Sequence, residues 1–203
     1  MFKIRSYHPS DCVDLYRICL ETGDNGRDAT PLYLDPDLPG HYWAASYAYL
    51  EPELCFILTR DERPVGYVLG TQDTARFSKR CEVEWFPPLR ARYALQTVPD
   101  RPELSEKKDR NVIQLILQGY HASIPAPGYP AHLHIDILPA GQGYGFGRKL
   151  IETFCAALRE RRVPGVFLGV GRENKHAIGF YRHIGFEVLE DASWGYQLGL
   201  RLD

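Results

Sequence analysis

Residues 142–147 read QGYGFG, with a glycine at every second position. The run HLHIDIL at 132–138 precedes this loop and predicts a strand, and a helical pattern follows over 146–161. Glycines let backbone N–H groups approach an anion closely, and the start of a helix adds partial positive charge there. The order of strand, glycine loop and helix therefore predicts a binding site for a phosphorylated cofactor.

The spacing of these glycines differs from that of two common nucleotide-binding motifs. A dinucleotide-binding GxGxxG opens an early βαβ unit and has an acidic residue about 20 positions later. Here the spacing is GxGxG, the loop comes late in the chain, and the next strand ends without such a residue. The Gly-Lys-Ser/Thr ending of a P-loop is also absent. A nicotinamide dehydrogenase is therefore disfavoured, and a glycine-rich turn without a ligand stays open as an alternative.

Composition is that of an ordinary globular protein. The chain has 203 residues, of which 44% are hydrophobic and 25% charged, with a net charge of −2. This charge gives no indication of nucleic-acid binding, and no apolar run approaches the roughly 20 residues that span a bilayer. Five scattered cysteines without a CxxC pair predict free, mostly buried thiols in a reducing compartment. We therefore expect a cytoplasmic protein without nucleic-acid or membrane partners.

The other sequence patterns predict an α/β fold with a mixed sheet of about seven strands flanked by helices. The predicted strands lie at 2–7, 54–59, 65–71, 132–138, 165–171, 186–189 and 194–202. The predicted helices lie at 12–20, 41–49, 146–161 and 174–183, and Ser10 or Asp11 is a suitable N-cap for the first. We expect a single domain over 1–203.

Between 73 and 130 the patterns weaken, and we predict an insertion before the fourth strand. It contains a helical stretch within 101–121, between proline-rich segments. Such a stretch in a compact domain is usually a functional cover or an insertion. If the protein forms a homodimer, this segment is the one that we expect to pair.

Two motifs resemble those of the GNAT N-acetyltransferase superfamily. PAGQGYGFG at 139–147 resembles its Q/R-x-x-G-x-G/A motif, and NKHAIGFYRHIGF at 174–186 resembles its next helix, N-x-x-A-x-x-F-Y-x-x-x-G-F. The two motifs occur in the family's order, separated by a helix and a strand. The resemblance implies a GNAT fold with acetyl-CoA as co-substrate.

A narrower resemblance covers most of the chain. LYRICLETGDNG at 15–26, CFILTRDERPVGYVLGT at 55–71 and FSKRCEVEW at 77–85 are similar to the C-terminal acetyltransferase-like domains of animal O-GlcNAcases. Those domains look like pseudo-enzymes without an intact glycine motif, whereas this chain keeps the loop. No glycosidase domain occurs in these residues, so the resemblance implies no glycosidase activity. A free-standing domain of this type looks bacterial.

The resemblance implies a cofactor site made largely of backbone. The N–H groups of the glycine loop would bind the pyrophosphate, with Arg148 or Lys149 adding charge, and the strand edge at Ile135 and Ile137 would bind the pantetheine amides. Asn174 would face the pantetheine arm. The predicted cofactor residues are Ile135, Ile137, Gln142, Gly143, Tyr144, Gly145, Phe146, Gly147, Arg148, Asn174, Ala177, Phe180 and Tyr181.

The implied reaction moves an acetyl group from sulfur to a primary amine, which must lose a proton while the thiolate leaves. Tyr181 matches the family tyrosine that acts as the acid. His132, His134 and Asp136 alternate on one face of the predicted strand at 132–138. Asp136 is our first candidate for the base or for orienting a water, and His134 is the second. A buried aspartate with a structural role is the alternative.

Several alternatives stay open at this stage. The acceptor is a small molecule or a protein lysine, and the alternative function is an acetyl-CoA-binding pseudo-enzyme or interaction domain. His132 and His134 have a zinc-like spacing, but no fourth ligand is evident, so we predict no metal. Glu82 and Glu84 are further candidates for binding a cationic acceptor, with a solvated surface as the alternative.

Overall fold

The computed structural model describes residues 1–94, 108–119 and 126–202. Its strands are β1 (Phe2–Ser6), β2 (Cys55–Arg60), β3 (Arg63–Thr71), β4 (Ala131–Ile137), β5 (Gly165–Gly171), β6 (Glu187–Ala192) and β7 (Gly195–Arg201). They form one sheet in the order β1-β2-β3-β4-β5-β7-β6, antiparallel except where β4 meets β5. The predicted mixed α/β sheet of seven strands is therefore confirmed.

Helices pack on both faces of this sheet. They are α1 (Cys12–Thr22), α2 (Leu38–Trp43), α3 (Ala45–Leu50), α4 (Thr74–Arg80), α5 (Phe86–Ala94), α6 (Asp109–Gln118), α7 (Phe146–Glu160) and α8 (Lys175–His183). A π-helical turn, Cys81–Trp85, joins α4 to α5. The single helix predicted at 41–49 is wrong in one respect, because Ala44 leaves the helical region at φ −128° and ψ −56° and separates α2 from α3.

The start of α1 also differs from the prediction. Asp11 occupies the N-cap position, but its side chain makes no capping bond to α1. Its carboxylate accepts the N–H of His8 at 2.8 Å and two bonds from Arg5 at 2.6 and 2.7 Å. The ion pair with β1 therefore takes the oxygens that a cap would use.

The sheet separates two hydrophobic cores. On one face, the stripe Leu150, Phe154 and Leu158 of α7 packs with the apolar side chains of β4. On the other face lie α1 to α6, with buried aromatic residues such as Phe77 and Phe86. β4 contributes its apolar positions to the first core and its polar positions to the side of α1 and α3, as its alternation predicted.

β4 and β5 separate soon after they pair. β4 pairs with β3 at six positions, from His132 to Ile137, but with β5 at only two, Ala131 and His132. Beyond His132, no described strand pairs with that edge of β4. The separation opens a gap in the middle of the sheet and leaves the backbone groups on that edge of β4 without a strand partner among the described residues.

The described part of the predicted insertion packs onto the N-terminal helices. α6 confirms the helix predicted within 101–121, of which 101–107, 120 and 121 lie outside the described residues. Asp109 at its start accepts the N–H groups of Leu34 and Asp35 at 3.0 and 2.8 Å. Tyr93 donates to the Asp35 carboxylate at 2.8 Å. These contacts hold Leu34 and Asp35, in the loop between α1 and α2, against the insertion.

Two further expectations concern the surroundings of the chain. All five cysteines are free, with Cys12 partly exposed and the others buried, as predicted. None of the described helices has the length and apolar character that crossing a membrane requires.

Candidate active site

The glycine loop is open at the start of α7. Gly143 and Gly145 have φ of +81° and +77°, a left-handed conformation that favours glycine. A Cβ built on either would meet no atom within 4 Å. Gly145 is the N-cap of α7 and makes no side-chain capping bond, so the N–H groups of the first turn are not capped by a side chain. This end of the helix can bind an anion.

Aromatic residues support the loop from outside. The ring of Phe2 packs at 4.9 Å from that of Tyr144 and 4.8 Å from that of Phe146. A Cβ built on Gly147 would lie 3.2 Å from Phe180 of α8, so this glycine permits a close contact between α7 and α8. Arg148 forms an ion pair with Glu152 at 2.9 Å, which offsets part of the charge predicted to assist the loop.

Gln142 contacts the strand that precedes the loop. Its Nε2 donates to the carbonyl oxygen of Ile137 at 2.7 Å. Ile137 was predicted to bind a cofactor amide through its backbone. Because a carbonyl oxygen has two lone pairs, this bond takes only part of its capacity, whereas Ile135 carries no such side-chain contact in the described chain.

A cavity of about 240 Å³ lies in the gap between β4 and β5. Residues 133–136 and 168–171 form its strand walls, α8 closes one side, and α1 with the following loop closes the other. The cavity brings together six predicted site residues, namely His134, Ile135, Asp136, Asn174, Ala177 and Tyr181. Ile137, Phe180 and the glycine loop do not line it.

Two side chains converge on one carboxylate oxygen of Asp136. The hydroxyl of Tyr67 donates to Oδ2 at 2.6 Å, and Nε2 of His134 lies 2.9 Å from the same atom. Tyr67 stands directly opposite Asp136 in the β3–β4 ladder. Neither contact uses Oδ1, and the Asp136 side chain is 18% exposed in the cavity wall.

The electrostatics of this group favour an ion pair. Burial opposes the charge on His134, but the negative charge of Asp136 outweighs it and raises the pKa of His134 to about 10. Burial also opposes the charge on Asp136, yet His134 and the hydrogen bond from Tyr67 hold the pKa of this carboxyl below its ordinary value. At neutral pH the pair is therefore carboxylate and imidazolium.

Tyr181 lines the cavity from the α8 side. Its ring packs at 5.3 Å from that of Phe180 and 5.6 Å from that of Phe186. The hydroxyl forms no hydrogen bond with any residue that the structure describes, and the side chain lines the cavity. Burial, and then the charge of Asp136, raise the pKa of Tyr181 well above its ordinary value. The phenol therefore stays protonated and free to donate.

His132 belongs to a different environment from His134. Its Nε2 lies 2.7 Å from the Tyr47 hydroxyl and its Nδ1 lies 2.8 Å from that of Thr74. Burial lowers the pKa of His132 to about 3. It is a neutral link between β4, α3 and α4, so the two histidines weighed as a zinc pair do not converge.

Asn174 caps α8, since its Oδ1 accepts the N–H of Ala177 at 3.1 Å. Its side chain still lines the cavity near the end of β5. Glu82 and Glu84 do not reach the cavity. They pair with Arg90 at 2.6 Å and Arg80 at 2.8 Å on the π-helical turn and its flanks.

Sequence reasoning missed Cys19 and Tyr67. Cys19 of α1 lies beside His134 and Asp136, with one ligand atom of each residue within 4.8 Å of the others. A tyrosine in an otherwise apolar strand needs a partner for its hydroxyl, which was the one available signal for Tyr67.

Comparisons with known proteins agree with this architecture. Residues 113–186 match the Acetyltransferase (GNAT) family. The chain is 38% identical to SsHAT. The crystal structure of SsHAT superposes with a TM-score of 0.90, and the match covers 100% of this chain and 98% of SsHAT. The chain therefore belongs to the GNAT N-acetyltransferase family.

One further relative in sequence and one in structure are similar to this chain. The chain is 28% identical over 195 residues to Protein O-GlcNAcase of Rattus norvegicus, with 94% of this chain aligned. It spans about a fifth of that relative's length, 20%. The PaiA N-acetyltransferase of Thermoplasma acidophilum, solved in complex with coenzyme A, shares the fold at a TM-score of 0.60 and 11% identity over 99% of both chains. The predicted GNAT and O-GlcNAcase resemblances are thus confirmed.

Proposed function

We propose that the protein transfers the acetyl group of acetyl-CoA directly to a primary amine in a ternary complex. The observation that carries this proposal is the cavity between β4 and β5, whose walls hold both Asp136 and Tyr181. An uncapped helix start follows β4 at the glycine loop. The arrangement offers a proton acceptor and a proton donor at one gap, with an anion site after it in the chain.

Acetyl-CoA would extend from the glycine loop into the gap. The N–H groups of Gly143 to Gly147 would bind the pyrophosphate, and the edge of β4 at Ile135 would bind a pantetheine amide. Asn174 and Ala177 would border the arm. Membership of the family, and a fold neighbour solved with coenzyme A, support this use of the site.

The proposed chemistry assigns one proton transfer to each side of the cavity. Oδ1 of Asp136 accepts the proton of the attacking amine, whose nitrogen bonds to the acetyl carbon. The carbon–sulfur bond then breaks, and Tyr181 donates its proton to the departing thiolate. His134 is protonated at neutral pH, so it acts through Asp136 as a positioning residue rather than as the base.

The acceptor is a primary amine, on a small molecule or on a protein lysine. Its neutral form would place the nitrogen beside the carboxylate of Asp136, and Tyr33 and Trp43 would contact its carbon stem.

The second candidate is an acetyl-CoA-binding domain without transferase activity. One observation favours it: the pairing with His134 and Tyr67 holds the pKa of Asp136 low, which weakens this carboxylate as a base. The cofactor site would then serve recognition alone.

A screen of amines with acetyl-CoA, followed by release of free thiol, distinguishes the two. Amine-dependent thiol release that Asp136→Asn removes supports the enzyme. A rise in melting temperature with acetyl-CoA, but no thiol release with any small amine or lysine peptide, supports the binding domain. No thermal shift at saturating acetyl-CoA contradicts both.

A further inference from the structure

Cys19 brings a third type of metal-binding atom to the cavity. Its sulfur, a nitrogen of His134 and a carboxylate oxygen of Asp136 all lie within 4.8 Å of one another. Cys19 is 3% exposed and borders the same cavity as the other two residues. These three ligands come from α1 and β4, on the side of the sheet away from the glycine loop.

This set of ligands suits a zinc-class cation. Zinc binds thiolate at about 2.3 Å and imidazole or carboxylate at about 2.0–2.2 Å, usually in a tetrahedron. Ligand atoms around such an ion lie about 3–4 Å apart, so small side-chain rotations would suffice here. Three protein ligands with one open position is also the form of zinc sites that accept an exogenous ligand. The cavity supplies that open position.

The imidazole of His134 gives a second reason. Its Nε2 is buried and has no hydrogen bond within the described part of the chain. It lies 2.9 Å from Oδ2 of Asp136, an ion-pair distance without hydrogen-bond geometry. This nitrogen faces the Asp136 carboxylate and belongs to the same cluster as the sulfur of Cys19, so a cation bound there would take the place of the proton in the ion pair.

We propose that Cys19, His134 and Asp136 bind a Zn²⁺-class cation, and that this cation inhibits acetyl transfer. The thiol and the imidazolium each release a proton when the metal binds. The cation takes the carboxylate that would otherwise accept the amine proton. The inhibition rests on the proposed function, whereas the binding of metal does not.

The binding test uses Co²⁺ as a spectroscopic probe on chelator-treated protein. We expect a thiolate-to-cobalt charge-transfer band in the near ultraviolet, tetrahedral d–d bands in the visible, and loss of both when Zn²⁺ is added. Cys19→Ser should lose the charge-transfer band. Cys12→Ser, a partly exposed thiol on the same helix, is the matched control and should keep it. His134→Gln and Asp136→Asn should weaken Co²⁺ binding at least 10-fold, since even loss of an outer-shell partner costs about 10- to 100-fold.

Wild-type protein without a charge-transfer band overturns the metal site, and so does a band that Cys12→Ser removes while Cys19→Ser retains it. Circular dichroism and the thermal shift with acetyl-CoA check that each variant is folded. Should Cys19→Ser fail that check, Cys19→Ala and the His134 and Asp136 variants decide the question.

The inhibition test measures thiol release with and without Zn²⁺. Inhibition that a chelator reverses supports the regulatory part. Each rate is divided by the metal-free rate of the same protein, and Cys19→Ser should then need a higher Zn²⁺ concentration than wild type for half inhibition. Zn²⁺ that binds without slowing turnover overturns it. If no amine gives thiol release, the proposed function fails, and the cobalt spectrum still decides the metal site.

Discussion

The two sides of the gap between β4 and β5 are built from different materials. The side that we propose to bind the cofactor, here the cofactor side, consists of backbone: an open glycine loop, an uncapped helix start and a strand edge. The side that we propose to receive the amine, here the acceptor side, consists of side chains from separate elements, with Cys19 from α1, Tyr67 from β3 and Asp136 from β4. The residues of the first side are close together in the sequence, whereas those of the second are brought together only by the fold.

The two sides also differ in how they couple to stability. Gly143 and Gly145 have open space around them but left-handed φ values, so a substitution there strains the loop without breaking a packing contact. Tyr67 is fully buried, and the charge on Asp136 depends on its neighbours. Substitutions on the cofactor side should therefore change binding, whereas those on the acceptor side should change turnover and stability together.

Gly145→Glu should have the largest effect. The substitution places a carboxylate where phosphate would bind, and like charges in contact cost several kcal/mol. The left-handed φ of +77° adds about 1–2 kcal/mol for a residue other than glycine. We expect more than 100-fold weaker acetyl-CoA binding, measured by calorimetry and by loss of the thermal shift.

The matched control is Gly179→Glu on α8, where the same residue change meets open space without a positive φ. It should keep acetyl-CoA affinity. Binding retained in Gly145→Glu would move the anion site away from the start of α7.

Asp136→Asn should lower kcat by about 10²- to 10⁴-fold, the usual contribution of a positioned acid or base. The thermal shift with acetyl-CoA should survive, since the change lies on the acceptor side. Glu84→Gln, which removes an exposed carboxylate paired with Arg80, should leave kcat unchanged. Equal turnover in the two variants would argue that Asp136 accepts no proton.

Tyr181→Phe should lower kcat by roughly 100-fold, at the low end of the same range, because a water can replace part of its donation. Acetyl-CoA binding should be retained, as the ring and its contacts with Phe180 and Phe186 stay. Tyr49→Phe, on an exposed ring of α3 that does not line the cavity, is the control and should be neutral. Wild-type kcat in Tyr181→Phe would remove the acid role.

The contrast between the two sides explains what the sequence could predict. The loop at 139–147 and the helix motif at 174–186 are each contiguous in the chain, so their glycine spacing indicated an anion site and their resemblance to known motifs indicated a family. Alternation along one strand likewise predicted that His134 and Asp136 share a face. The convergence of Cys19 and Tyr67 depends on strand register and on how α1 crosses the sheet, and neither has a local signature.

The same limit applies to the fold. The break between α2 and α3 falls at Ala44, and alanine is the strongest helix former, so local propensity predicts continuity. Tyr42 packs against Phe86 on one side of the break, and Tyr47 stacks on Phe77 on the other. Tertiary packing therefore determines the boundary between α2 and α3, where the sequence has no helix-breaking residue.

The smallest predicted effect tests the charge state of the acceptor side. Because the folded pKa of His134 is raised from 6.5 to about 10, the stability that it contributes is fully present below pH 6.5 and is lost as pH rises through about 10. Asp136→Asn removes this contribution. The difference in free energy of unfolding between wild type and Asp136→Asn should therefore narrow steadily from pH 6.5 to 10 in urea titrations. Glu84→Gln breaks an ion pair with arginine, so its difference from wild type should stay constant over that range.

A constant difference for Asp136→Asn would mean that His134 is neutral in the folded protein. His134 would then compete with Asp136 as the base, and the acceptor side would carry the net negative charge of the Asp136 carboxylate.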